Sequence, residues 1–233
     1  MNAGRVRTKA YNDPDAALLR GYRFVVCTTA ADAADALEIR RRVYVEGNGY
    51  PVAVPDAYDA RSWLALARNE ATGEPVGSVR ITPRRAPLEA EESFTLPLHL
   101  RTPRAAEISR LAILPSHRKG RTFVPVVSLG LFKLLLRFAE TICAERLVVC
   151  SRAERLWTFE WMGFERTGLG APYLPLAGVR HELLWGDFTR RAEILATHPF
   201  RRFFLDVEYD EVRVPAVVPP LGVPAQVVAS TGS

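Results

Sequence analysis

The residues with the most chemical potential in this chain are charges written into segments that otherwise read as strands. Arg80 sits in the middle of GSVRIT, and Glu107 and Arg110 sit in AEISRLAIL. Taking a charge out of water is costly unless it is compensated, so these residues imply partners. Alternation along a strand puts Glu107 and Ser109 on one face and Arg110 on the other. Arg40 and Tyr44, at positions i and i+4, share one side of a predicted helix. Tyr50, Asp56 and Asp59 follow in a polar loop. Arg40, Arg80 and Arg110 with Asp56, Asp59 and Glu107 can thus form a neutralising network. It has two readings: a structural ion network, or an acid–base and anion-binding site. In the second, a carboxylate takes a proton directly or through water. The arginines either hold a substrate carboxylate in bidentate fashion or anchor Asp56 and Asp59.

A second candidate is Arg118-Lys119-Gly120-Arg121-Thr122, just ahead of a long apolar run. Backbone N–H groups at a helix start bind anions, and three basic side chains there would hold a single phosphate. The plain alternative is a solvated basic turn. The third candidate is an aromatic set, Trp157, Phe159, Trp161, Met162 and Phe164, which could wall a slot for a hydrocarbon chain or simply pack the core. His99, His117, His181 and His198 lack ligand spacing, so no metal site is expected. Cys27, Cys143 and Cys150 lie in apolar contexts and read as reduced core thiols.

These side chains need elements to position them. Residues 22–28 (YRFVVCT) read as a strand, and 32–46 as a helix with Ala36, Ile39 and Val43 on its apolar side, ended by Gly47 and Gly49. Residues 62–69 and 75–82 form a hairpin across a turn. Residues 83–104 contain four prolines. A loop that long inside a domain often carries function. A strand at 106–114 leads to a long helix capped by Thr122, with Pro125 in its first turn. A strand at 146–151, a helix at 152–162 stopped by Gly163, and a strand at 178–187 complete the set. The order fits an α/β fold with a mixed, largely antiparallel sheet flanked by helices better than a doubly wound parallel sheet. Neither GxxxxGK[ST] nor GxGxxG is present, which removes the main support for a nucleotide fold.

Composition bounds the rest. The chain has 233 residues, 48% hydrophobic and 24% charged, which suits one substantial domain over 21–212. A flexible arm is expected at 1–20 and an irregular proline-rich tail at 213–233. No apolar run reaches the roughly 18 residues of a membrane span, and no apolar segment follows the basic N-terminus, so a cytoplasmic location is expected. The net charge of +5 suits an acidic partner. No recognition helix, zinc spacing or aromatic–basic RNA motif is present, so nucleic acid is not expected.

The pattern Arg40-x3-Tyr44-x5-Tyr50-x5-Asp56-x2-Asp59, then Arg80, then Glu107-Ile-Ser-Arg110, resembles the signature of acyl-homoserine lactone synthases, with tyrosines where those have Phe and Trp. AEISRLAILPSHRKGRTFVPVVSLGLFKLLLRFAE is similar to the long-chain N-acyl amino acid synthases and to exosortase-associated acyltransferases, and RAERLWTFEWMGFERTG resembles the GNAT helix that ends in Gly-Phe. Spanning about residues 22–190, the resemblance implies a GNAT fold and an acyltransferase. The donor would be an acyl-phosphopantetheine thioester on an acidic acyl carrier protein or coenzyme A, with no tightly bound cofactor; the acceptor would be a small-molecule amine such as an amino acid. Implied roles follow. Glu107, Ser109, Arg110 and Arg80 are catalytic, with Glu107 taking the amine's proton or orienting the amine. Arg40, Tyr44, Tyr50, Asp56 and Asp59 bind substrate. Backbone N–H groups around Leu111, Ala112 and Ile113 receive the oxyanion. Arg118 to Thr122 hold the phosphate, and Trp157 and Trp161 line the acyl slot. Alternatives are a lactone synthase using S-adenosylmethionine, a coenzyme-A-dependent acetyltransferase, and a GNAT-fold binding module without turnover.

Overall fold

The computed structural model describes residues 18–118, 124–216 and 219–222. Lys119, Gly120, Arg121 and Thr122 lie outside the described residues, as do most of the expected N-terminal arm and C-terminal tail. Eight strands form one sheet: β1 (Tyr22–Val26), β2 (Trp63–Asn69), β3 (Pro75–Pro83), β4 (Ala105–Ile113), β5 (Arg146–Ser151), β6 (Glu165–Tyr173), β7 (Val179–Asp187) and β8 (Val212–Arg213). Their order is β6-β7-β5-β4-β3-β2-β1-β8. The β4–β5 and β1–β8 pairs are parallel and the other described pairs are antiparallel. The expected mixed, largely antiparallel sheet is therefore what forms. Two strands were not expected. β6 is interrupted by Gly168, Gly170 and Pro172, which mask a strand pattern, and β8 has two residues.

Among the described residues four α-helices flank the sheet: α1 (Ala30–Arg40), α2 (Val126–Thr141), α3 (Leu156–Trp161) and α4 (Arg191–Ile194). The Thr29 hydroxyl accepts from the Asp32 N–H at 3.1 Å, so a side-chain cap starts α1. Its last turn widens into a π-helical stretch over Arg41–Glu46. Pro125 stands at the α2 cap position rather than inside the first turn.

Alternation along β2 assigns the two faces. Trp63, Ala65 and Ala67 belong to the core under α2, whereas Leu64 and Leu66 pack with Ala33 and Ala36 of α1. On the α2 side the Phe138 ring meets Trp63 edge-on at 5.2 Å. A Cβ at Gly130 would come within 2.1 Å of the Phe24 ring, so only glycine lets α2 approach this closely. The buried Lys133 ammonium donates to the Phe203 and Phe204 carbonyls at 2.6 and 2.9 Å, tying the C-terminal segment to α2.

The proline-rich stretch between β3 and β4 is not structureless. It forms tight helical turns at Glu89–Glu92 and Leu98–Leu100. Leu88, Phe94, Leu96 and Leu100 pack on Val148 and Leu183, opposite α2. That burial fixes the loop, and with it Glu89, over the middle of the sheet. Cys143 is exposed, contrary to the core-thiol expectation, because it occupies the left-handed turn after α2 (φ 55°). No helix of the described residues is long and apolar enough to cross a membrane.

Candidate active site

The site begins where two parallel strands part. β4 and β5 pair only from Ala105–Arg146 to Ile108–Val149. Beyond that point β4 carries an extra residue against β3: Ser109 faces Arg80, yet Ala112 faces Ser78. Such a bulge bends its strand and re-aims side chains. Arg110, at φ 56°, sits in a conformation unfavourable for a residue with a Cβ. The bulge cancels the alternation read from sequence. Arg110 joins the same ion network as Arg80 instead of facing away from it.

That network is dense. Arg80 Nε donates to Ser109 Oγ at 3.0 Å, Nη1 to Asp56 Oδ1 at 2.5 Å and to Asp59 Oδ1 at 3.1 Å, and Nη2 to Glu89 Oε2 at 2.6 Å. Arg40 donates to Asp59 at 2.5 Å and to Asp56 at 3.1 Å. Arg110 reaches Asp56 at 3.1 Å, the Pro175 carbonyl at 3.4 Å, and Glu89. Burial opposes ionisation of Asp56, but Arg80, Arg40 and Arg110 outweigh it and lower its pKa from 3.8 to about 2. Arg40 and Arg80 are essentially inaccessible. Their Nη groups are held by protein carboxylates, the Arg80 Nε is on Ser109 and the Arg40 Nε is buried without a partner. Neither residue lines the cavity between β4 and β5, so neither holds a substrate carboxylate here.

Glu89 is the member that sequence reasoning missed. Its one available signal was a carboxylate flanked by Leu88 and Ala90 in the loop flagged as too long to be idle. It takes the place expected for Glu107. Three guanidiniums meet three carboxylates, Asp56, Asp59 and Glu89, which leaves Glu107 without a counter-charge of its own. The Glu107 carboxyl instead accepts from the Ala90 N–H at 3.2 Å and the Tyr173 hydroxyl at 3.3 Å. Burial first, then the nearby Glu89, raise its pKa from 4.5 to about 8, against the opposing pull of Arg80. Both causes favour its protonated form at neutral pH.

In the gap between β4 and β5 lies a cavity of about 380 Å³, within the usual range for small-molecule sites. Ser109, Arg110, Leu111 and Ile113 of β4 form one wall; Val149, Cys150 and Ser151 of β5 form the other. Tyr44 and Tyr50 close one side, with ring centroids 6.1 Å apart. The Tyr44 hydroxyl donates to the Leu111 carbonyl at 3.0 Å, so the hydroxyl absent from phenylalanine braces the bulge. Glu89, Tyr173, Leu176 and His181 also face the cavity.

Glu107 does not line it. A proton acceptor beside the carbonyl site was the expectation, but the carboxyl is turned behind Glu89 and Tyr173. Ala112 is buried and points away, whereas Trp157 and Phe159 line the cavity. Trp161 does not: its ring meets His198, Phe200 and Phe204 at centroid distances of 4.5, 5.4 and 6.1 Å. Although Trp161 lies one turn after Trp157, at the end of α3, it docks on the C-terminal segment instead of the cavity. Met162 and Phe164 likewise pack in the core. At the mouth, Arg118 donates to the Ile113 carbonyl at 2.7 Å and is joined by Arg152 and Arg155. Burial and the Arg155 charge lower the Arg118 pKa, a sign of local positive excess. Burial also pushes the Cys150 thiol well up, which argues against a thiolate nucleophile.

A family model described as N-acyl amino acid synthase FeeM matches residues 35–187, a span that contains the whole ion network and the cavity walls. A search of curated proteins returns no match. Among solved structures, FeeM, an N-acyl amino acid synthase from uncultured soil microbes, is 16% identical, covers 76% of this chain and 96% of its own, and superposes with a TM-score of 0.63. BjaI, a CoA-dependent acyl-homoserine lactone synthase solved with SAM and isopentyl-CoA, is 19% identical over 84% of this chain and 97% of its own, with a TM-score of 0.61. The AHL synthase LasI is 19% identical over 76% and 94%, with a TM-score of 0.59. At these identities the likeness is one of fold: a GNAT-type sheet opened between its two central parallel strands.

Proposed function

The chain belongs to the N-acyl amino acid synthase FeeM family, and on that premise we propose that it moves a fatty-acyl group from an acyl carrier protein thioester to the amine of an amino acid or similar small molecule. It is an acyltransferase; the donor and the acceptor are the proposed part. The observation that carries the reading is the cavity between the bulged β4 and β5, lined both by arginines (Arg118, Arg152, Arg155) and by apolar side chains such as Val149 and Phe159. A thioester laid along this gap has its carbonyl beside Leu111 to Ile113, whose N–H groups are the proposed oxyanion donors. The acyl chain runs toward Val149 and Phe159, where each buried methylene contributes about 0.8 kcal/mol. Arg118, Arg152 and Arg155 give the mouth a positive field that suits the donor's phosphate and the acidic surface of a carrier protein. Tyr44, Tyr50 and Arg110 frame the acceptor. Arg40, Arg80, Asp56 and Asp59 act behind the wall, holding the bulge rather than touching substrate, and Glu89 ties that assembly to the cavity's edge.

The test is direct. Purified protein is given acyl carrier protein thioesters of several chain lengths with a mixture of amino acids, and the products are read by mass spectrometry. N-acyl amino acids support the reading. Transfer from coenzyme A thioesters alone would overturn the carrier-protein donor. Consumption of S-adenosylmethionine with lactone formation would overturn the amino acid acceptor.

A further inference from the structure

The reaction proposed above needs a group that removes a proton from the attacking nitrogen, and the residues facing the cavity differ sharply in their fitness for it. Glu107 does not line the cavity, and its surroundings favour the protonated form. Glu89 is held by Arg80 and Arg110. The Tyr173 phenol is bound to Glu107, and burial, then Glu107 and Glu89, push it well up. Burial also raises the Tyr44 phenol, whose proton is committed to the Leu111 carbonyl. The half-buried Cys150 thiol is pushed well up, away from the thiolate.

His181 is different. It lies on β7, where alternation with Val179 and Leu183 turns it toward the cavity, and it is only 4% exposed. Its Nδ1 lies 2.7 Å from the Val179 carbonyl. A carbonyl only accepts, so Nδ1 carries the hydrogen, and the neutral ring has its free lone pair on Nε2. The Tyr173 ring rests against the imidazole with centroids 4.8 Å apart, fixing its plane. The charged groups around it are Arg152 and Glu154 from the segment after β5 and Arg110 from β4. Burial, Arg152 and Arg110 lower its pKa below 6.5, against the Val179 bond and Glu154. The ring is therefore neutral at the pH where a base is needed.

Resting on the acyl-transfer reading above, we propose that His181 is the general base of the reaction, acting through Nε2 from the β7 side of the cavity. The neutral amine attacks the thioester carbonyl, and the C–N bond forms. Nε2 takes the N–H proton of the resulting ammonium, whose acidity far exceeds that of the free amine. The C–S bond then breaks, and the imidazolium returns the proton to the departing thiolate. Amine and thioester become amide and thiol, with no proton left over. The buried Glu107–Tyr173 pair positions the imidazole and does not itself titrate in the cycle.

The experiment compares wild type with His181→Gln and His181→Ala using a carrier-protein thioester and the acceptor identified above. We expect kcat/KM to fall about 100-fold in both, as loss of general-base help does, with KM nearly unchanged. Added imidazole should restore His181→Ala by at least about tenfold, filling the space left by the ring. In wild type, the slope of log kcat/KM against pH should steepen from about one to about two below an apparent pKa under 6.5, as a second required deprotonation adds to that of the amine. His181→Gln should lose that break. Activity of the variants within about threefold of wild type, or a wild-type profile without the break, would overturn the assignment. The wild-type profile decides the matter even if the variants unfold. Absence of transfer by wild type to any amine would overturn the acyl-transfer reading, and the base with it; transfer that survives loss of His181 would overturn the base alone.

Discussion

Glu107→Gln isolates the electrostatics of the site in one substitution. The Glu107 carboxyl is fully buried, and its pKa is raised from 4.5 to about 8. A group whose pKa is raised on folding contributes stability fully below its unfolded value, and that contribution is lost as pH climbs toward the folded value. The wild type is therefore penalised progressively between about pH 4.5 and pH 8, because folding must put a proton back on an acid that water would leave ionised. At about 1.36 kcal/mol per unit, the penalty reaches about 3 kcal/mol at pH 7 and 4–5 kcal/mol at pH 8. Glutamine matches the protonated carboxyl in shape; it can accept from the Ala90 N–H and donate to the Tyr173 oxygen. It does not titrate. We expect the variant to match wild type near pH 4.5 and to exceed it by several kcal/mol at pH 8, read by urea unfolding at half-unit pH steps. Turnover at pH 7 should stay within about threefold, because the carboxyl does not reach the cavity; loss of a general base would cost at least 100-fold. A stability difference flat with pH would refute the buried neutral acid, and a large loss of turnover at intact stability would return Glu107 to the chemistry.

Glu89→Gln removes a charge held between Arg80 and Arg110 and should cost about 3–5 kcal/mol, the usual penalty for breaking a buried pair; thermal unfolding checks it, and a wild-type midpoint would mean the pairing is idle. Trp157→Ala should raise KM for the acyl donor with little change in stability, whereas Trp161→Ala should lose about 3–5 kcal/mol and leave chain-length preference as it was. Gly130→Ala forces a methyl against the Phe24 ring and should cost at least about 1–3 kcal/mol by overpacking, measured by denaturation.

Much of this was legible in the chain. The hairpin, the central strands and the long helix carry clear apolar patterns, and the few charges placed inside the strands announced a compensated cluster before any fold was known. What failed to show was what depends on one residue of register. The bulge at Ser109–Arg110 reverses the facing of Arg110, and nothing in AEISRLAIL marks it. Glu89 was hidden because its partners lie 9 and 21 residues away and its own element is a short turn held only by tertiary packing. His181 was passed over because one histidine without ligand spacing looks inert. Its significance comes from β7 lying next to β5, an adjacency that topology decides. Trp161 was assigned to the slot with Trp157, one turn before it; its partners His198, Phe200 and Phe204 lie more than thirty residues on, so only the tertiary fold shows that they claim its ring.

Arg110 links the charge network to the shape of the cavity, and Arg110→Lys tests that link. A non-glycine residue at φ 56° carries a local cost of about 1–3 kcal/mol, so something must hold it there. Its guanidinium does so from three directions: Asp56 through Nε, Glu89 through Nη2 and the Pro175 carbonyl through Nη1. Lysine keeps the charge and the backbone strain but presents one ammonium where three separated donors stood. With hydrogen bonds to charged groups worth about 1.5–3 kcal/mol each, losing one or two of them should cost about 2–5 kcal/mol. The consequence for function exceeds the loss of stability. Without that grip the bulge can relax toward regular pairing, and the gap that separates β4 from β5 narrows. Acyl transfer should then fall most for the longest donors, which need the gap at its full width, and least for acetyl. Denaturation together with a chain-length series measures both effects. A variant that loses stability but keeps the wild-type chain-length profile would show that the cavity owes its width to something other than this network.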